Sequence, residues 1–359
     1  QTVLGTGTFS NDGLLTTTTG GVQIQSDIVD LDNSIVAAGQ LVNIDSGAGD
    51  ITLDGGNITT TGGADQDGGA IDIDTDGGSV VLSGSLNALG GVAGGGNPGR
   101  AGGAVSINAT GAGAITLNDG ADIDTRGTIA ADGLGGAGGS VTIDTDDQQI
   151  TLIATDISTA GAEGAGANAG QFAAGGAVTI GSNPAGDSVL LQTNVGVDPV
   201  VIDAGANSAD ITFDASIDGA DVNLNLTAGV TGDIFFNGAV GQNDPIGTVT
   251  INEADDVNIA EAFTSATFNQ VVAGVGTFNL DALLTADTGT VTINSNEVDL
   301  DGSIRTSGDA QSITITGGAG GIDLAADETI TSTPAIDGQN GGAISITANA
   351  GAMNLDGDL

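Results

Sequence analysis

The chain has 359 residues, 64 of them Gly, and sets 46 Asp and Glu against three Arg, for a formal net charge of −43. Such a surface repels nucleic-acid phosphates and anionic lipid, and it attracts divalent cations or basic partners. Lys, His, Cys, Tyr and Trp are absent, which excludes Ser-His-Asp and Cys-His catalysis, thiol chemistry, Schiff bases and imidazole metal sites.

The first predicted elements are short. Ile24, Leu31 and Ile35 each sit in a run where apolar and polar residues alternate, and Ile44, Leu53 and Ile58 repeat the set. Runs this short with period two are strands, because a helix would need an apolar stripe at 3.6-residue spacing. Three such strands joined by tight Gly, Asp and Asn turns make one coil. A six-residue phrase then recurs: GGAIDI at 68–73, GGAVSI at 102–107, GGSVTI at 138–143, GGAVTI at 175–180 and GGAISI at 341–346. Four of the copies are followed by a second apolar phrase, ending at Leu82, Leu117, Leu152 and Leu355. Self-similarity with a period of about 20 to 40 residues marks a solenoid.

First-strand spacings from Ile24 to Ile180 run 20, 29, 34, 36 and 37 residues, while the other spacings in each coil hold nearly constant. The added length lies in Gly-rich inserts at 62–69, 90–103, 130–139 and 160–176, each between a third strand and the next first strand. The inserts are therefore predicted to leave the rod at one corner and to lie side by side. Gly and Ala there would let a neighbouring rod approach closely.

Residues 186–290 are less regular and hold six of the eight Phe. Two readings compete: Phe fills a wider coil, or an exposed Phe ladder binds sugar or a partner. Regular coils return at 291–359. Val291-Thr292-Ile293 opens one, Val298-Asp299-Leu300 and Ile304-Arg305-Thr306 follow, and Ile313-Thr314-Ile315 restarts the cycle after 22 residues.

The predicted fold is all-β, a right-handed parallel β-helix of about three short strands per coil and roughly a dozen coils. It forms one solenoid over 1–359, a rod on the order of 60 Å long at about 4.8 Å per coil. No apolar run approaches the roughly 18 residues of a membrane-spanning helix.

The chemistry present is carboxylate. Asp72 to Gly77 reads like the start of an EF-hand loop, but the twelfth position is Ser83, and Ile71 and Ile73 alternate as a strand. As a strand, Asp72, Asp74 and Asp76 project from one outer face. Asp144 and Asp146 repeat the arrangement, as do Asp30 with Asp32, Asp122 with Asp124 and Asp299 with Asp301. Acids stacked about 5 Å apart repel by roughly 0.8 kcal/mol per pair in water. Ca²⁺ is the cofactor such an array would take, with Asp72, Asp74, Asp76, Asp144 and Asp146 as ligands. The competing reading is that the acids only keep a Gly-rich rod soluble.

No catalytic set emerges. Asp144, Asp146 and Asp147 could supply a carboxylate pair for glycoside hydrolysis, but nothing separates them from the other acids, so the chain is not expected to be an enzyme. Glycosylation sequons at 57–59, 108–110 and 225–227 are what a chain rich in Asn and Thr contains by chance.

The stretches 102–127 and 138–161 resemble the repeats of filamentous-haemagglutinin-like adhesins and related giant β-strand-repeat secreted bacterial exoproteins. The resemblance covers most of the chain as a pattern and is weak over 186–290. It implies a right-handed β-helical fibre exported to the cell surface, without catalytic residues. The family's N-terminal secretion module is not seen here, which fits a segment of a longer rod.

The expected function is a structural segment of an extracellular bacterial fibre, stalk, filament or surface matrix. Its expected partners are further copies of itself, end to end or lateral, or the continuation of a longer chain. The alternative is an adhesin that binds glycan or a cell-surface protein through the Gly-rich insert edge or the Phe-rich section. Neither nucleic acid nor a membrane span is expected.

Overall fold

Alternating Ile, Val and Leu with Thr, Ser, Asp and Asn gives each short strand one apolar face that it cannot bury alone. Stacking equivalent strands from successive coils buries that face and pairs the backbone at once. The computed structural model, which describes residues 2–4, 6–193, 198–272, 274–334 and 340–359, with Thr2–Leu4 as backbone only, has this arrangement. The chain folds as a parallel β-helix. Among the described residues the only helical element is a 3₁₀ turn at Gly166–Asn168.

Three parallel ladders run along the rod. The first takes Val22–Ser26, Val42–Ser46, Ile71–Thr75, Val105–Ala109, Val141–Thr145 and Val178–Ile180. It continues through Ile211–Phe213, Ile234–Phe236, Val257–Ile259 and Thr277–Leu280 to Met353–Leu355. The second begins with Thr8–Ser10, Ile28–Leu31 and Ile51–Leu53 and ends at Ile330–Ser332. The third begins with Leu15–Thr17, Ile35–Ala37 and Ile58–Thr59 and ends at Ile344–Ala348.

The core is a set of columns along the axis. In the first ladder Ile24, Ile44, Ile73, Ile107, Ile143 and Ile180 stack in register, followed by Phe213, Phe236, Ile259, Leu280, Leu300 and Leu324. All of them are buried. Small hydroxyl residues end the strands at the corners and face inward. Ser46 donates to the Gly49 carbonyl at 2.7 Å, and Thr145 donates to the Gln148 carbonyl at 3.0 Å. These bonds satisfy turn carbonyls that the ladders leave over.

The fold corrects two sequence expectations. GGAISI does not mark the same corner as the four earlier copies: Ile344–Ala348 pairs with Ile313 to Gly317 and so belongs to the third ladder. Val291 to Ser295 is likewise third-ladder, and 297–300 carries the first. The physical cause is that every face reads apolar–polar–apolar, so only the insert gives the phase. Late in the chain the longest spacing falls between the second-ladder strand Ile330–Ser332 and the third-ladder strand Ile344–Ala348. The Phe residues fill the core. Phe213, Phe236, Phe263, Phe268 and Phe278 are fully buried, with successive ring centroids 5.4, 5.1, 5.5 and 5.7 Å apart. A ligand-binding ladder from these five rings is therefore closed off.

Candidate functional site

Two surface features stand out, the carboxylate faces and the insert layer. On the first ladder Asp72 and Asp74 alternate with buried Ile71 and Ile73 and are half-buried, while Asp76 is exposed just past the strand. Asp144 and Asp146 repeat this two strands further along the ladder. The two groups do not converge, because Asp74 pairs in register with Asn108, and Asn108 with Asp144. Asp146 accepts the Gly111 amide at 3.1 Å, and Asp144 accepts the amide of Thr145 at 2.9 Å. Among the described residues no three carboxylates are grouped to hold a metal ion.

Side-chain amides relieve much of the repulsion. Gln25 donates to Asp45 at 3.0 Å, Asn43 to Asp72 at 3.1 Å, Asn237 to Asp214 at 2.6 Å and Asn354 to Asp323 at 2.9 Å, each from a neighbouring coil. Other carboxylates accept the turn amide of the next coil. Asp210 takes the Asp233 N–H at 3.0 Å, Asp233 takes that of Asp256 at 3.1 Å, and Asp256 takes that of Thr277 at 2.6 Å. Asp187 is the extreme case at 1 % exposure. It accepts the Thr145 hydroxyl and the amides of Asp147, Ser182 and Asn183, all within 3.0 Å. Sequence reasoning missed these Asp staples, whose only signal is an Asp beside a turn.

Asp74 has less relief. Burial, and then the charge of Asp72 on the same strand, push its carboxyl up to about 6, with Asp45 on the adjoining coil adding to the effect. Burial, followed by the charges of Asp301 and Asp323, likewise raises Asp299.

The insert layer is built from the Gly pair of the recurring phrase. A Cβ on Gly103 would strike the carbonyl of Gly69, one on Gly139 that of Gly103, and one on Gly176 that of Gly139. The second Gly of each pair is therefore fixed by backbone stacked on backbone. Buried threonines close the neck of three of the four inserts. Thr60, Thr125 and Thr159 donate to the carbonyls of Gly69, Gly139 and Gly176 at 2.5, 2.6 and 2.5 Å. Successive inserts bond to each other, as in Gly62 N–H to Leu89 O at 2.9 Å, Gly99 to Leu134 at 2.8 Å and Gly127 to Ala160 at 3.0 Å. The expected side-by-side layer at one corner is thus present over 62–176. Asp65 ties the first insert to the second. The Gly94 amide, then the Asn97 side chain, holds its carboxyl below the usual range.

The layer forms a groove of about 610 Å³ lined by Leu89, Val92, Ile129, Ala162 and Phe172, with Arg126 and Glu163 at its margin. Arg126 grips Asp124 through Nε at 2.9 Å and Nη2 at 2.6 Å. Apart from Arg126, Thr128 and Glu163, the side chains that line the groove are apolar.

The chain matches no protein-family model, no curated protein and no solved structure.

Proposed function

We propose that the chain is a non-enzymatic structural segment of an extracellular bacterial fibre, stalk or surface matrix, of the kind built by filamentous-haemagglutinin-like exoproteins. The observation that carries this reading is the continuity of the first ladder and its core column from Ile24 to Leu324. A rod whose every coil is held by backbone bonds to the next resists bending and shear, because deformation must break many of them together. Outer carboxylates tied to amides keep the faces hydrated, and aliphatic and Phe columns supply cohesion.

The test is immunogold electron microscopy on the producing cells, with antibody raised against this chain. Label along surface fibres or matrix is the expected result, and label confined to the cell interior overturns the reading. The purified chain should also scatter X-rays as a rod and resist trypsin, which has only Arg100, Arg126 and Arg305 as cut sites.

A further inference from the structure

The insert layer differs electrically from the rest of the rod. The four inserts, 62–69, 90–103, 130–139 and 160–176, carry Asp65, Asp67, Asp132 and Glu163 against Arg100, a net of −3 over 49 residues in a chain whose 359 residues carry −43. Arg126, another of the chain's three Arg, stands at the margin of their groove. Both are paired, Arg126 with Asp124 at 2.6 Å and Arg100 with Asp65 of the first insert at 3.6 Å. The same layer exposes large apolar side chains: Val92 is 77 % exposed, Ile129 68 %, Leu134 54 % and Phe172 44 %. It is also preorganised, since the inserts are bonded backbone to backbone. Binding there would cost little ordering entropy.

We propose that this layer is a lateral contact face through which two copies of the chain associate side by side. The occupant follows from charge. Two rods of −43 repel along their acidic faces, and the insert layer is the large surface over which like can meet like with the lowest density of net charge. Its exposed Val, Ile and Phe gain by leaving water, and its Gly and Ala permit close backbone approach. A contact of one layer with the same layer of a second copy is self-complementary and closes as a two-fold dimer. The proposal rests on the rod reading above, because only a stacked rod holds the inserts in one plane.

Sedimentation velocity of the purified chain tests it, from about 0.1 M to about 1 M NaCl, where the screening length falls from about 10 Å to about 3 Å. The native chain is expected to show a concentration-dependent dimer that strengthens with salt. An Ile129→Asp/Phe172→Asp double variant is expected to weaken that dimer roughly tenfold or more. Its melting temperature should be unchanged, since both side chains are exposed. A second variant, Val92→Ala/Ile129→Ala/Phe172→Ala, removes apolar area without adding charge and should weaken the dimer as well. A native chain that stays monomeric at every salt concentration overturns the proposal, and so does a dimer that both variants leave intact. A monomer whose groove binds neutral oligosaccharides on an array overturns it in favour of a glycan site. Rod-like scattering of the monomer would leave the structural reading standing in each case.

Discussion

The insert-bearing coils up to residue 180 and the Phe-containing coils from 211 to 280 close the same corner of the rod in different ways. In the first group the chain leaves after the third ladder, makes a Gly-rich excursion and returns through a Gly pair, which a Thr hydroxyl seals in three of the four coils. In the second group the excursion is gone. Ala209 and Asp255 stand two residues before the strands Ile211–Phe213 and Val257–Ile259, the place that Gly139 and Gly176 hold before theirs. The core changes with it. A column of Ile gives way to Phe213 and Phe236, with Phe263, Phe268 and Phe278 continuing the aromatic run across all three faces. One repeat design thus tolerates a small-residue corner with a thin aliphatic core, or a short corner with a ring-filled core.

The largest expected effect sits in the second group. Phe236 stacks on Phe213 at 5.4 Å and meets Phe263 edge-on at 5.1 Å. The walls around it are held apart by backbone ladders, so a cavity there cannot collapse. Phe236→Ala is expected to cost about 4 kcal/mol, against about 3 kcal/mol for Ile143→Ala in the same column. Urea unfolding of both variants checks the ordering. Equal losses would mean that the rings only fill space and add no contacts beyond those of Ile.

The next effect belongs to the first group. Gly139→Ala would push a methyl into the Gly103 carbonyl of the preceding coil. We expect a loss of about 1–3 kcal/mol, the usual cost of overpacking against atoms that cannot move aside. Ala209→Gly at the matching position of a short coil is expected to cost under about 1 kcal/mol, mainly backbone entropy. If both substitutions are silent, the Gly pair is not a packing requirement.

Strand type and the insert corner were legible in the sequence, because each depends on residues close together, while burial of the Phe residues was one of two open readings. Ile44, Leu53 and Ile58 do occupy three successive ladders, and the inserts at 90–103 and 130–139 do stack. The phase of GGAISI was not legible. Its six residues fit any face, and the coil that decides its place is set by pairings some 30 residues upstream, between Ile313 and Ile344. The carboxylate partners were hidden for a related reason. Asn43 reaches Asp72 across 29 residues and Asn237 reaches Asp214 across 23, distances set by the length of each coil. Reading acids by their spacing along the strand anticipated stacked charges, which the register does give at Asp45 with Asp74 and Asp299 with Asp323, but not the interleaved amides such as Asn108 between Asp74 and Asp144.

The smallest effect concerns acid. Asp74 in the insert-bearing group has its carboxyl raised to about 6 by burial first and by Asp72 next. Asp144, Asp156, Asp233, Asp255 and Asp299 are raised as well, each chiefly by burial. In the unfolded chain these groups return to about 3.9. A carboxyl with a higher value in the folded state takes up its proton there first, so folding is favoured as pH falls. That contribution is complete below about 4 and is lost as pH rises through about 6 for Asp74. Melting temperature at fixed ionic strength should therefore rise by a few °C from about pH 7.5 to about pH 5, opposite to ordinary acid denaturation. Asp74→Asn should raise the melting temperature at neutral pH and flatten the slope, because its neighbours Asp72 and Asp45 are carboxylates. Asp233→Asn should gain less, because the Asp256 amide already bonds the charged form of Asp233 at 3.1 Å. A melting temperature that falls steadily from pH 7 to pH 5 would show that the outer acids are held by donors throughout the rod, and that the two groups of coils do not differ in this respect.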